Sequence, residues 1–276
     1  MGAWIMAGVT FREAARKKVL WMALAAGLAF LALFGTGLHF QVKDFTSRDL
    51  PPLIRTQVLN AMLMTGFYAI DLLAVVMTVL TSVDTLSGEI ASGTIQAVAT
   101  KPVTRRQLVL GKWLGFVGML SVYVALMMGG TTAVGWLVGG ATTHHLLRGA
   151  VLIWLECVLL LSLTFLFGTT FSTLTNGVLA LGFHGLAFIG GWIEQVGALT
   201  HSPRALNVGI VASIIMPSEI LWRRAAFEMQ SPLFGAIGMS PFSNASVPSA
   251  AMVAYAGVYL SLALGLAIRR FGRRDL

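Results

Sequence analysis

Residues 84–112 read DTLSGEIASGTIQAVATKPVTRRQLVLGK. This polar interval lies between two apolar runs, each long enough to cross a bilayer, and it is more ordered than a plain connecting loop needs to be. Gly88 and the Ser92-Gly93 pair permit sharp changes of backbone direction. Residues 94–100 have the length for about two helical turns, with Ile95 and Val98 on one side. Pro102 ends that helix, because it lacks an N–H, and it biases Lys101 away from helical angles. Thr104-x-x-Gln107 has the spacing of a capping box, in which the hydroxyl takes an orphan N–H of a new helix and the amide reaches back to the cap. The interval predicts a short helix lying across the membrane surface between two spans, with a defined turn at each end. A loop serving only the charge bias of membrane topology would need the basic residues but not this Gly, Pro and cap punctuation.

The flanking sequence is that of a polytopic membrane protein. Of 276 residues, 57% are hydrophobic and 11% charged, and several apolar runs exceed about 18 residues. Six spans are expected, at 19–38, 57–82, 108–138, 148–171, 177–197 and 248–268. The chain reads as all-α, with an N-terminal interfacial helix over residues 1–18 and a six-helix domain over 19–276. In that helix Trp4, Gly8, Phe11 and Ala15 share one side, Arg12, Glu13, Arg16 and Lys17 lie largely on another, and Thr10-x-x-Glu13 has capping-box spacing. The segments 39–56 and 172–176 read as a polar connection and a tight turn. Region 198–247, rich in proline, reads as extracytoplasmic or re-entrant: 207–216 is apolar but too short to cross, and 218–229 is amphipathic. Gly111-x-x-x-Gly115 and Gly135-x-x-x-Gly139 allow close helix approach without naming a partner helix.

The net charge of +8 does not point to nucleic acid, because the basic residues sit at the ends of apolar runs. With both termini cytoplasmic, twelve of the nineteen basic residues fall on the cytoplasmic side, as the positive-inside rule asks. A seventh span at 204–222 would place the arginine-rich tail outside. The single cysteine, Cys157, excludes an internal disulfide.

Taken together, Glu89, Gly93-Thr94, Pro102-Val103-Thr104-Arg105-Arg106 and Leu110-Gly111-Lys112 resemble the cytoplasmic signature of ABC-2-type exporter permeases, of the six-span type V kind. The likeness extends to the N-terminal start and the spacing of all six spans. It implies that segment 84–107 carries a coupling helix docking in a cleft of a separate ATPase, with Glu89, Gly93, Thr94, Ile95, Val98, Lys101, Pro102 and Arg105 at the contact. It also implies two ATPase copies holding ATP and Mg, a second permease subunit as homodimer or similar heterodimer, and an inner-membrane location among lipid. The chain itself has no nucleotide-binding loop, since Gly111-Lys112 is followed by Trp113, and no cofactor of its own is expected. The family's substrates range widely, and some members transmit force to an extracytoplasmic partner, for example in metal-site maturation.

Three ionisable residues fall inside expected spans: Asp71, Glu156 and His184. Charges at such depth face protein or water, so they line a translocation pathway or fix helix packing. Arg148 is eight residues from Glu156, too far for a pair on one helix. His39, His144 and His145 lack metal-ligand spacing, and no metal site is expected. An intramembrane enzyme could draw on Ser162, His184 and Glu156, yet no local catalytic motif links them.

Overall fold

The computed structural model describes residues 2–48, 51–93, 104–231 and 247–273, and among them it contains helices and no strand. The helices are α1 (Gly2–Arg16), α2 (Lys18–Ser47), α3 (Pro52–Ser82), α4 (Ser87–Ala91), α5 (Arg105–Gly139), α6 (Leu146–Gly168), α7 (Thr173–Leu199), α8 (Pro203–Ile215), α9 (Ser218–Met229) and α10 (Ala250–Gly272). Six of them are long and apolar enough to cross a membrane: α2, α3 with its continuation α4, α5, α6, α7 and α10. The chain is a polytopic all-α membrane protein. The ends of α1 and α10 and the start of α5 lie together, and this end of the bundle is called the terminal face below.

Several boundaries follow directly from the residues. Thr104 caps α5 through the expected box: its Oγ1 accepts from Gln107 N at 3.3 Å, and its own N–H donates to Gln107 Oε1 at 3.1 Å. Gly93 has φ +70°, the left-handed turn that ends a helix and that side chains rarely tolerate. Pro52 starts α3 at a position where its missing N–H costs nothing.

Other boundaries differ from expectation. α2 runs through the expected polar connection to Ser47, because Leu38 and Phe45 keep one apolar face against Leu59 beyond the bilayer-length segment. The turn expected at 172–176 is mostly helix, since Ser172 already caps α7 by accepting from Thr175 N at 3.4 Å. Thr10 caps nothing, because α1 is a single helix through it. Thr10 instead lies with Ala7 and Ala14 on the buried face of α1, while Trp4 and Phe11 face outward. The expected aromatic stripe is therefore the outer one, as suits a helix lying in an apolar boundary.

Glycine pairs set two close helix crossings. A Cβ on Gly111 would meet Met6 Cβ at 2.5 Å, and one on Gly115 would meet the Ala7 carbonyl oxygen at 2.8 Å, so this glycine pair is the bed for α1. On α7, a Cβ on Gly190 would stand 2.2 Å from Ala212 Cβ, and one on Gly209 would stand 2.3 Å from Glu194 Cβ.

This second crossing explains region 203–229. α8 turns back along α7, from Ala205 beside Gly197 to Ala212 beside Gly190. The chain then bends by 107°, and α9 returns to place Met229 against Gly149 at the start of α6. Both ends of the pair thus lie at the face opposite the termini, which makes it a re-entrant hairpin. The carbonyls freed at the end of α8 are satisfied by α10: Tyr255 Oη donates to Ile214 O at 2.7 Å and Tyr259 Oη to Ile215 O at 3.0 Å.

Candidate functional site: a terminal-face hub and a buried polar cluster

α4 is only five residues long, yet side chains from α5, from α7 and from the link between α1 and α2 hold it or the turn before it. Lys112 of α5, itself buried, pairs with Glu89. Lys17, the single extended residue between α1 and α2, pairs with Asp84 at 2.8 Å and reaches the Thr81 carbonyl at 3.4 Å. On the other side Ser87 Oγ and Thr173 Oγ1 of α7 are 2.9 Å apart. Asn176, fully buried, donates to Val83 O at 3.0 Å and to Thr164 O at 2.9 Å, tying α7 to the turn and to α6. Ser82 Oγ and Thr164 Oγ1 add a 2.8 Å contact. A cavity of about 290 Å³ lies at the hub, lined by Thr10, Glu13, Lys17, Asp84, Glu89, Lys112 and neighbouring residues. Displacing α4 would strain contacts to α5, to α7 and to the link between α1 and α2 together, because each is an ion pair or hydrogen bond that loses its partner when stretched.

Deeper in the bundle, the turn of the re-entrant hairpin meets α3, α6 and α7. His184 Nδ1 lies 3.1 Å from Ser218 Oγ and 3.6 Å from Glu156 Oε1. His184 is 15 residues from Leu199, so the hairpin tip penetrates about 20 Å from that end of α7. Asp71 of α3 and Glu156 of α6 lie near one another in this cluster. Glu156 is 0% exposed and Asp71 5%. One helical turn beyond, Arg223 forms two contacts with Glu194, Nη2 to Oε1 at 3.0 Å and Nη1 to Oε2 at 2.9 Å, and both residues are buried. Glu219 lies between these groups, its side chain in the space a Cβ on Gly191 would take. The ring of Trp222 packs on Tyr68 at 5.2 Å.

A family model described as ABC-2 family transporter protein matches residues 4–276. The chain belongs to the ABC-2 transporter family. No curated protein matches it. Membership makes this ABC-2 protein the membrane component, a permease subunit of an ABC transporter, and implies a separate ATPase partner.

Of the residues expected at the ATPase contact, Thr94, Ile95, Val98, Lys101 and Pro102 lie outside the described residues. Gly93 forms the turn after α4, and Arg105 opens α5. Glu89 faces Lys112 within the permease itself. Asp71, Glu156 and His184, which come from three different helices, are brought together. Arg148 does not reach Glu156 and instead pairs with Glu228 at 3.3 Å. Sequence reasoning passed over Lys17, Asp84, Thr173 and Asn176 in the hub, and Glu194, Glu219 and Arg223 in the cluster. Glu194 carried one usable signal, a carboxylate within an expected span and only three residues from its end.

Proposed function

We propose that this permease is the transmembrane subunit of an ATP-driven exporter, and that α4 with segment 94–103 is the element its ATPase grips. The observation that carries this reading is the hub, a five-residue helix tied with its preceding turn to α5, to α7 and to the link between α1 and α2 at the terminal face. The terminal face is then cytoplasmic, in keeping with the charge distribution, and the membrane is the inner one. Two permease subunits, identical or similar, enclose one pathway, and two ATPase copies bind beneath them with ATP and Mg. Closure of the ATPases pushes the coupling segment, the hub passes the push to α1, α5 and α7, and the exposure of the central path alternates. Ile95 and Val98 fill the ATPase cleft, while Lys101 and Arg105 meet its carboxylates. The Asp71–Glu156–His184 group lies along the path, where its polar side chains change partners as helices shift.

Affinity purification of the full-length chain from native membranes tests this reading. A stoichiometric ATPase subunit in the eluate is expected, and its absence would contradict it. Asp71→Asn is expected to lower transport severalfold while leaving the ATPase bound, and normal transport would make Asp71 a packing residue.

A further inference from the structure

At the terminal face, the start of α5 and the end of α10 enclose a cavity of about 620 Å³ that neither the hub nor the buried cluster uses. Its α10 wall is Gly265, Ile268, Arg269, Gly272 and Arg273. These positions recur at three- and four-residue spacing and so form one helical stripe. The α5 wall is Arg106 and Leu110, one turn apart. A Cβ placed on Gly265 or Gly272 would meet nothing within 4 Å, so the space beside the arginines is open down to the backbone.

Three arginines line the cavity, Arg106, Arg269 and Arg273. Among the described residues no carboxylate pairs with Arg106, Arg269 or Arg273, and the terminal-face acids Asp84 and Glu89 are held by Lys17 and Lys112. The walls also present Leu110 and Ile268, so the cavity has a charged rim and an apolar side. A soluble anion would use only the rim.

We propose that this cavity binds the phosphate headgroup of an anionic phospholipid, with an acyl chain along Leu110 and Ile268. Guanidinium forks match phosphate oxygens two at a time, and the ends of spanning helices lie at headgroup depth. Basic pockets between spanning helices are suited to such headgroups. The bound lipid would hold the start of α5, immediately after segment 94–103, against α10. The proposal needs only the membrane fold and is independent of cargo and ATPase.

The test uses the purified full-length chain, delipidated in a non-ionic detergent and titrated with short-chain phosphatidylglycerol or phosphatidylcholine, with bound lipid read by native mass spectrometry. Phosphatidylglycerol is expected to bind in preference. Arg106→Gln and Arg269→Gln are each expected to weaken it about fivefold, and Arg270→Gln, off the stripe, to leave it unchanged. Arg269→Lys keeps the charge that topology needs and is still expected to weaken binding, because lysine cannot form the fork. Equal binding of the two lipids, equal loss from Arg270→Gln, or no loss from Arg269→Lys would overturn the proposal. Displacement of phosphatidylglycerol by an equal concentration of inorganic phosphate would overturn the lipid assignment in favour of a free phosphate.

Discussion

Glu89 and Lys112 are separated by 23 residues and lie on either side of the segment that the ATPase is proposed to grip. Lys112 is buried, so its ammonium depends on this one carboxylate among the described residues. Glu89→Gln keeps a hydrogen-bond acceptor but removes the charge. It is expected to cost about 1–3 kcal/mol, seen as a lower unfolding temperature of the detergent-solubilised protein. The Arg223–Glu194 pair is buried on both sides. Arg223→Ala would leave Glu194 and Glu219 without their nearby cation and is expected to cost about 3–5 kcal/mol. Glu194→Gln, which still accepts from Arg223, should cost clearly less in the same thermal assay. The reverse order would show that the pair does not hold the hairpin.

Among the elements, α1 gives the sharpest test, since its position depends on two glycines of another helix. A Cβ on Gly115 would meet the Ala7 backbone oxygen, and backbone cannot swing aside as a side-chain tip can. Gly115→Leu is expected to lift α1 from α5 at a cost of about 1–3 kcal/mol. A cysteine replacing Thr10, 3% exposed in the native packing, should react slowly with a maleimide in the native background and quickly in the Gly115→Leu background. Equal rates would mean that α1 does not rest on this glycine pair. The elements also show which features can be read from sequence. The Thr104–Gln107 cap and the Gly93 turn were legible, because each is decided within three or four residues. The Thr10–Glu13 spacing was misread as a cap, because α1 is a single helix through Thr10 and the hydroxyl is buried on its packed face instead. The re-entrant hairpin was visible only as two short, ambiguous segments. Its placement depends on Glu194, Gly190 and the two tyrosines of α10, all distant in sequence. The depth of Asp71, Glu156 and His184 could be counted along their helices, but their convergence could not, because it depends on how three helices pack.

At the scale of the whole molecule, the hub and the buried cluster share helices. α3 carries Asp71 and leads into α4, α6 carries Glu156 and Thr164, and α7 carries His184 and the residues that bind the hub, Thr173 and Asn176. A displacement at the terminal face therefore has rigid helices along which to reach the middle of the bundle, and that shared use of α3, α6 and α7 is the physical basis of the proposed coupling. The most direct measurement of this account is ATP hydrolysis by the reconstituted permease–ATPase complex carrying Ile95→Asp. The account predicts a correctly inserted permease whose stimulation of ATP hydrolysis falls to the level of the isolated ATPase. Wild-type stimulation in that variant would contradict it.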